Sequence, residues 1–126
     1  MKKIVVVDDS ETVLSMLEHV LKEWGFEVHA GADGHAAMDI IRNVKPDLLI
    51  LDHQLPASVG PDLFRRLKQD GVLIPTIFLS GTPYYEIKYG YGLENEDRIR
   101  FLEKPIELKR LRSLVDELLP PGAAAS

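Results

Sequence analysis

Ile4-Val5-Val6-Val7-Asp8-Asp9-Ser10, residues 4–10, places an unbroken apolar run directly before two acids. Four β-branched residues in succession are typical of a strand that is buried on both faces, as the strands of parallel sheets are. The serine after the acids is a suitable N-cap, because its hydroxyl can accept a hydrogen bond from a free N–H of a helix's first turn. These residues therefore predict a buried parallel strand, two carboxylates at its carboxyl end, and then a helix.

The same alternation of short apolar runs and helical spacing continues along the chain. Further strands are predicted at 26–30, 48–51, 76–79 and 99–102. Helices are predicted from Ser10 to Gly25, from Asp33 to Lys45, from Pro61 to about Asp70, and from Leu108 to Leu118. Strands that alternate with helices form parallel sheets with right-handed crossovers. We therefore predict a three-layer, doubly wound α/β fold of the flavodoxin-like type, with a five-stranded parallel sheet in the order 2-1-3-4-5.

Residues 81–97 do not follow this regular pattern. They include glycines at 90 and 92, each of which costs about 1 kcal/mol inside a helix, and they show no clean apolar stripe. The fourth helix is therefore predicted to be short, displaced or irregular. The segment also holds four tyrosines, Tyr84, Tyr85, Tyr89 and Tyr91. We interpret these as packing residues, with a partner-binding patch as the alternative.

Size and composition narrow the possible classes of protein. The chain has 126 residues, 45% of them hydrophobic, which suits one domain, predicted at 1–119, with 120–126 as a linker stump or disordered tail. The absence of cysteine excludes disulfides and thiolate catalysis. A net charge of −5, with basic residues spread among acids, disfavours direct nucleic-acid binding. No apolar run is long enough to span a membrane, so we predict a cytoplasmic protein.

Polar residues follow four of the predicted strands at their carboxyl ends. Asp8 and Asp9 follow the first strand, Asp52 the third, Ser80 the fourth and Lys104 the fifth. Open α/β sheets bind ligands beyond these ends, where the strand order reverses. Three carboxylates at one place repel one another unless a cation shares the site, and an all-oxygen set suits Mg²⁺. We predict a Mg²⁺ site in which one carboxylate is a nucleophile toward a phosphoryl group, while Lys104 and Ser80 bind its oxygens.

Five short motifs extend this interpretation, each after a predicted strand or in the loop that follows it. They are Val-Asp-Asp-Ser at 7–10, Pro-Asp-Leu-Leu-Ile-Leu-Asp at 46–52, Leu-Pro at 55–56 with glycine at 60, Leu-Ser-Gly at 79–81, and Phe-Leu-Glu-Lys-Pro at 101–105. With these motifs in this order, the chain resembles a response-regulator receiver domain of two-component signalling over roughly residues 2–119.

The resemblance implies a set of site residues. Asp52 would be the phosphoacceptor and Asp9 a direct Mg²⁺ ligand, with Asp8 acting through water. The backbone carbonyl of Gln54 would be a further ligand, so that the metal set is Asp8, Asp9, Asp52 and Gln54. Lys104 would pair with the acceptor carboxylate or with a phosphoryl oxygen.

The resemblance also implies a conformational switch. Ser80 would turn inward when the phosphoryl group arrives, and Phe101 would move with it. Pro105 would follow a cis peptide bond. In this family, side chains at the positions of His53, Gln54 and Thr82 tune the lifetime of the phosphoryl group. The implied partners are a histidine kinase or a histidine phosphotransfer protein, with a downstream target that the sequence does not name.

Other functions fit the sequence less well. A phosphatase of the haloacid dehalogenase type needs a second acid two residues after the nucleophile, where this chain has Gln54. A flavodoxin-like carrier would meet charge repulsion from the acids that follow the first strand. The alternative that stays open is a receiver-like adaptor that binds partners without being phosphorylated. We predict a signalling switch with limited self-catalysed chemistry rather than an enzyme, and a homodimer as one possible assembly.

The four histidines show no metal-ligand spacing. They are His19, His29, His35 and His53. Zinc sites in proteins place their histidines and cysteines at short, regular intervals, which these four do not share. We therefore predict that all four are surface or loop residues.

Overall fold

A computed structural model describes residues 1–55 and 58–119. The strands are β1 Lys3–Val7, β2 Glu27–Gly31, β3 Leu48–Asp52, β4 Gln54–Leu55, β5 Ser58–Val59, β6 Thr76–Ser80 and β7 Ile99–Glu103. The helices are α1 Glu11–Glu23, α2 Gly34–Val44, α3 Gly60–Gln69, α4 Tyr84–Gly90 and α5 Leu108–Leu118. The predicted tail at 120–126 lies outside the described residues, as does Pro56 of the third motif.

The main sheet has the predicted strand order. Five strands lie side by side as β2-β1-β3-β6-β7, and every neighbouring pair is parallel. Counted along the chain without the two shortest strands, this is the order 2-1-3-4-5. The order reverses between β1 and β3, because β2 lies on one side of β1 while the rest of the chain adds strands on the other. The strands β4 and β5 form a separate antiparallel hairpin, which the sequence analysis did not predict.

Local signals account for the helix boundaries. The Ser10 hydroxyl accepts a hydrogen bond from the N–H of Val13 at 3.3 Å, so Ser10 caps α1 as predicted. The Asp33 carboxylate caps α2 in the same way, accepting from the N–H of Ala36 at 2.8 Å. Gly25 follows the last turn of α1 with a φ of 95°, a conformation that glycine adopts without steric cost. The predicted starts of α1 and α2 are therefore confirmed.

Two apolar layers, one on each face of the sheet, hold the helices. Residues alternate along β1, so that Val5 and Val7 pack toward α2, α3 and α4, while Ile4 and Val6 pack toward α1 and α5. The strands of the sheet interior are buried on both faces, which is why their sequences are continuously apolar. The three-layer arrangement is confirmed.

The fourth helix is short, as predicted, but the packing role predicted for the tyrosines is wrong for the three that lie on this helix; Tyr91, just after it, does pack against the core. Tyr84, Tyr85 and Tyr89 keep 48%, 54% and 63% of their surface exposed. A helix of seven residues offers the sheet only one narrow apolar stripe, and Ile87 occupies it. Leu108 is also 42% exposed, so the predicted apolar face of α5 begins one turn later, at Leu111. In the described part of the chain, no helix is long and apolar enough to cross a membrane.

Candidate functional site

The carboxyl ends of β1 and β3 bring three carboxylates together. One oxygen atom each of Asp8, Asp9 and Asp52 lies within 4.8 Å of the other two. The two strands pair in parallel with Val7 beside Leu51, so the residues that follow them meet at one edge of the sheet. Asp8 is fully buried and Asp52 is 5% exposed, whereas Asp9 is exposed. The cluster therefore reaches from the interior to the surface.

Lys104 completes the cluster. Its Nζ atom donates a hydrogen bond to Asp52 Oδ2 at 3.2 Å. The same atom lies 3.0 Å from Asp8 Oδ2 and forms an ion pair with it. Lys104 follows β7, and its backbone N–H bonds to the Ser80 carbonyl at 2.6 Å, which ties it to the end of β6. The predicted convergence of Lys104 with Asp8, Asp9 and Asp52 is therefore observed.

Backbone groups fix the carboxylates in place. Asp8 Oδ1 accepts a hydrogen bond from the N–H of Ser10 at 2.9 Å, and Asp52 Oδ1 accepts one from the N–H of Gln54 at 3.2 Å. Each acid thus uses one oxygen to bond the backbone two residues later. Its other oxygen faces Lys104. The ligand role predicted for the Gln54 carbonyl stays a prediction.

Burial and charge shift two pKa values in the cluster. Burial raises the pKa of Asp52, and the negative charge of Asp8 raises it further, although the Gln54 N–H and Lys104 oppose the shift. Burial lowers the pKa of Lys104, but contacts with Asp8 and Asp52 outweigh it, so the pKa is raised overall. Lys104 therefore stays cationic at neutral pH, whereas an ionised Asp52 is destabilising to the fold.

This shift predicts a pH-dependent stability difference in metal-free buffer. A carboxyl group whose pKa is raised on folding binds its proton more tightly in the folded state, so its stabilising effect is present at low pH and lost as pH rises through that pKa. We expect Asp52→Asn, a permanently neutral substitute, to be more stable than the wild type at pH 7. Its advantage should shrink as the pH falls toward about 4, near the ordinary pKa of aspartate. Urea unfolding across this range measures the difference, and an advantage that grows on acidification would contradict it.

The donor set fits Mg²⁺. All the clustered side-chain ligands are carboxylate oxygens, which hard cations prefer. Among the described residues, one lysine, Lys104, faces these three acids, which leaves an excess of negative charge at a largely buried place. A divalent cation beside Asp8, Asp9 and Asp52 would balance that charge.

The two predicted switch residues lie on neighbouring strands. Ser80 ends β6 fully buried, and its hydroxyl forms hydrogen bonds with Thr82. Phe101 lies in β7, half-buried, with its ring centroid 6.0 Å from that of Phe78 and 6.0 Å from that of Tyr84. Among the described residues, the Ser80 hydroxyl forms no hydrogen bond with the acidic cluster. The Phe101 ring packs against the rings of Phe78 and Tyr84. Their switching roles stay predictions.

Two features of the site escaped the sequence analysis. His53 lies in a loop as predicted but is buried, and its Nδ1 atom has no hydrogen-bond partner among the described residues. Glu103, next to Lys104, accepts a hydrogen bond from the N–H of Tyr84 at 2.9 Å and so joins the end of β7 to the start of α4. The burial of His53 had no clear local signal, because His53 directly follows the acidic residue that ends β3. The role of Glu103 had no local signal.

Comparisons with known proteins agree with this geometry. The family model of the response regulator receiver domain matches residues 4–116. The alkaline phosphatase synthesis transcriptional regulatory protein PhoP of Bacillus subtilis is 29% identical over 119 residues, which are 94% of this chain and 48% of PhoP. Sporulation initiation phosphotransferase F of the same species is 28% identical over 94% of both chains. The solved receiver domain of the hybrid histidine kinase CckA is 32% identical with a TM-score of 0.77, over 93% of this chain and 98% of that one. The chain thus spans about half of one relative and nearly all of another.

Proposed function

Because the chain belongs to the response regulator receiver family, we propose that it accepts a phosphoryl group on Asp52 and signals by a change of shape. Proteins of this kind are signalling switches and not enzymes in the usual sense. The observation that carries the proposal is the buried Asp52 carboxylate, held 3.2 Å from Lys104 and within 4.8 Å of two other acids. Such a cluster of buried charges destabilises the folded state, and clusters of this kind are typical of sites that bind charged groups.

Asp52 is the proposed nucleophile. One of its oxygens attacks the phosphorus atom of the donor, a new O–P bond forms, and the bond from phosphorus to the donor's leaving group breaks, so that the donor keeps that electron pair. Lys104 already contacts Oδ2 and is placed to neutralise the added negative charge. A bound Mg²⁺, with Asp8, Asp9, Asp52 and the Gln54 carbonyl as its proposed ligands, would supply further positive charge at the phosphoryl oxygens.

The output is a shifted conformational equilibrium. We propose that the Ser80 hydroxyl and the Phe101 ring rearrange together once Asp52 carries a phosphoryl group. Phe101 contacts Tyr84 of α4 as well as the buried Phe78, so its movement would change the surface near α4. To shift the ratio of active to inactive molecules from 1:99 to 99:1, the phosphoryl group must favour the active state by about 5.5 kcal/mol.

The partners and setting follow as proposals from the family. The proposed phosphoryl donor is a histidine kinase or a histidine phosphotransfer protein, and the domain is proposed to occupy residues 1–119. The relatives include a transcriptional regulator and a phosphotransferase, so the output partner is open. A cytoplasmic location and a homodimer stay predictions. An adaptor that is never phosphorylated has less support, because it has no use for three crowded carboxylates.

Labelling with a small acyl phosphate tests the proposal. We expect acetyl phosphate to add one phosphoryl group to the chain when Mg²⁺ is present, detected by intact-protein mass spectrometry. The label should be absent when Mg²⁺ is chelated and absent in Asp52→Asn. Asp39→Asn, which changes an exposed acid on α2, is the matched control and should be labelled like the wild type. Wild-type protein that takes no label would favour the adaptor.

A further inference from the structure

Within the described part of the chain, the buried Ser80 hydroxyl forms hydrogen bonds with one residue only, Thr82. Ser80 Oγ donates to the Thr82 carbonyl oxygen at 2.6 Å and accepts from the Thr82 N–H at 3.0 Å. It also lies 3.1 Å from Thr82 Oγ1. A serine hydroxyl has one proton and two acceptor positions. Because its proton is given to the carbonyl oxygen, the Thr82 hydroxyl must be the donor in the third contact. The hydrogen-bonding capacity of Ser80 Oγ is then complete.

We propose that Thr82 is a positioning residue that holds the Ser80 hydroxyl away from Asp52 and so sets how readily the domain enters its phosphoryl-bound state. The inference rests on the proposed function, in which Ser80 binds a phosphoryl oxygen. It goes beyond the tuning of phosphate lifetime, because it concerns the state of Ser80 before any phosphoryl group arrives. The Ser80 hydroxyl has a single proton to donate, so it must break its hydrogen bond with the Thr82 carbonyl before it can donate to a phosphoryl oxygen.

The Thr82 side chain is the adjustable part of this contact. Two of the hydrogen bonds use the backbone of residue 82 and do not depend on its side chain. The third uses Oγ1, which valine lacks although it has nearly the same shape. Ser80 is fully buried, so water does not readily replace the lost donor. Thr82→Val should therefore destabilise the resting arrangement by the net contribution of one hydrogen bond. The equilibrium between Ser80 bonded to Thr82 and Ser80 turned toward Asp52 should shift about two- to tenfold toward the second state.

Affinity for an acyl-phosphate mimic measures this shift. The probe is beryllofluoride with Mg²⁺, titrated into the unmodified chain and followed by NMR or calorimetry. We expect Thr82→Val to bind beryllofluoride about two- to tenfold more tightly than the wild type. Thr82→Ser keeps a hydroxyl and should restore affinity to near the wild-type value. Weaker binding by Thr82→Val would overturn the proposal, since it would mean that the Thr82 hydroxyl supports the bound state.

A double-mutant cycle separates this effect from a general change of the loop. If Thr82 acts through Ser80, Thr82→Val should have no effect on beryllofluoride affinity in the Ser80→Ala background. The same gain in both backgrounds would overturn the proposal. Thr76→Val is the matched control, because it also replaces a hydroxyl by a methyl group on β6. Its Oγ1 donates to the Ile74 carbonyl at 3.0 Å, at the opposite end of the strand, so beryllofluoride affinity should be unchanged.

The resting state supplies a test that does not depend on phosphorylation. Three-bond scalar couplings report the Ser80 χ1 angle in the unliganded chain. We expect the resting Ser80 rotamer to be equally populated in the wild type and in Thr82→Ser, and the ratio of other rotamers to the resting one to rise about two- to tenfold in Thr82→Val. An unchanged ratio in Thr82→Val would overturn the inference. If the wild type binds no beryllofluoride, the proposed function fails, and the couplings alone decide whether Thr82 holds Ser80.

Discussion

Replacing Lys104 with methionine is expected to lower the free energy of unfolding at pH 7 by about 3 kcal/mol in metal-free buffer, the low end of the range for breaking a buried ion pair. Lys104 Nζ lies 3.0 Å from Asp8 Oδ2 and 3.2 Å from Asp52 Oδ2, and Asp8 is fully buried. Without the ammonium group, two adjacent carboxylates lose their cation. We expect the low end of that energy range because the Lys104 side chain is 28% exposed, so water partly screens the ion pairs.

Urea unfolding of matched variants measures this loss. Lys22→Met is the control, since it removes a lysine that pairs with Glu18 at 3.5 Å on the exposed face of α1. An exposed pair of this kind contributes less than about 1 kcal/mol. Excess Mg²⁺ should recover part of the stability of Lys104→Met, because a bound cation stabilises the folded state by mass action. Equal stabilities for the two lysine variants would show that Lys104 does not hold the carboxylates together.

The position of the site was predictable because strand ends determine it. In a parallel sheet, the residues at and just beyond the carboxyl ends of the strands lie at the same edge, so Asp8, Asp52, Ser80 and Lys104 are placed there by topology. The sequence pattern locates each strand to within about one residue, which is sufficient for this purpose. β3 includes Asp52 itself, one residue beyond its predicted end. The side-chain contacts then follow from this shared edge.

Features that the periodicity of the sequence does not encode were not predictable in this way. The hairpin of β4 and β5 has two residues in each strand, too few to show any periodicity. The burial of His53 depends on the start of α3, where the Gly60 N–H bonds to the His53 carbonyl at 2.9 Å. A helical pattern shows that Leu108 shares a stripe with Leu111, but not where the sheet beneath that stripe ends. Each of these depends on three-dimensional packing that local spacing does not encode.

Gly60→Ala is expected to damage both the fold and the acceptor site. A methyl group at this position would lie 2.5 Å from the Asp52 carbonyl oxygen and 3.2 Å from the His53 Cα atom. Both neighbours are backbone atoms, which do not move aside as a flexible side chain does, so the loop after β3 must shift. Overpacking of this kind costs about 1–3 kcal/mol. A displacement of about 1 Å at a reacting group can lower its rate about 100-fold, so labelling of Asp52 should fall by a similar factor.

The comparison with Gly90→Ala isolates the cause. A methyl group at Gly90, the last residue of α4, meets no atom within 4 Å, and alanine favours helix by about 1 kcal/mol over glycine. Gly90→Ala should therefore keep its stability and its rate of labelling by acetyl phosphate, whereas Gly60→Ala loses both. Gly60 lies against the backbone of Asp52 and not against its carboxylate. The expected loss of labelling therefore comes from a displaced Asp52 and not from a changed carboxylate. If Gly60→Ala matches the wild type in both its free energy of unfolding and its rate of labelling, the loop does not need the close approach that glycine permits. The rigid placement of Asp52 must then come from β3 alone.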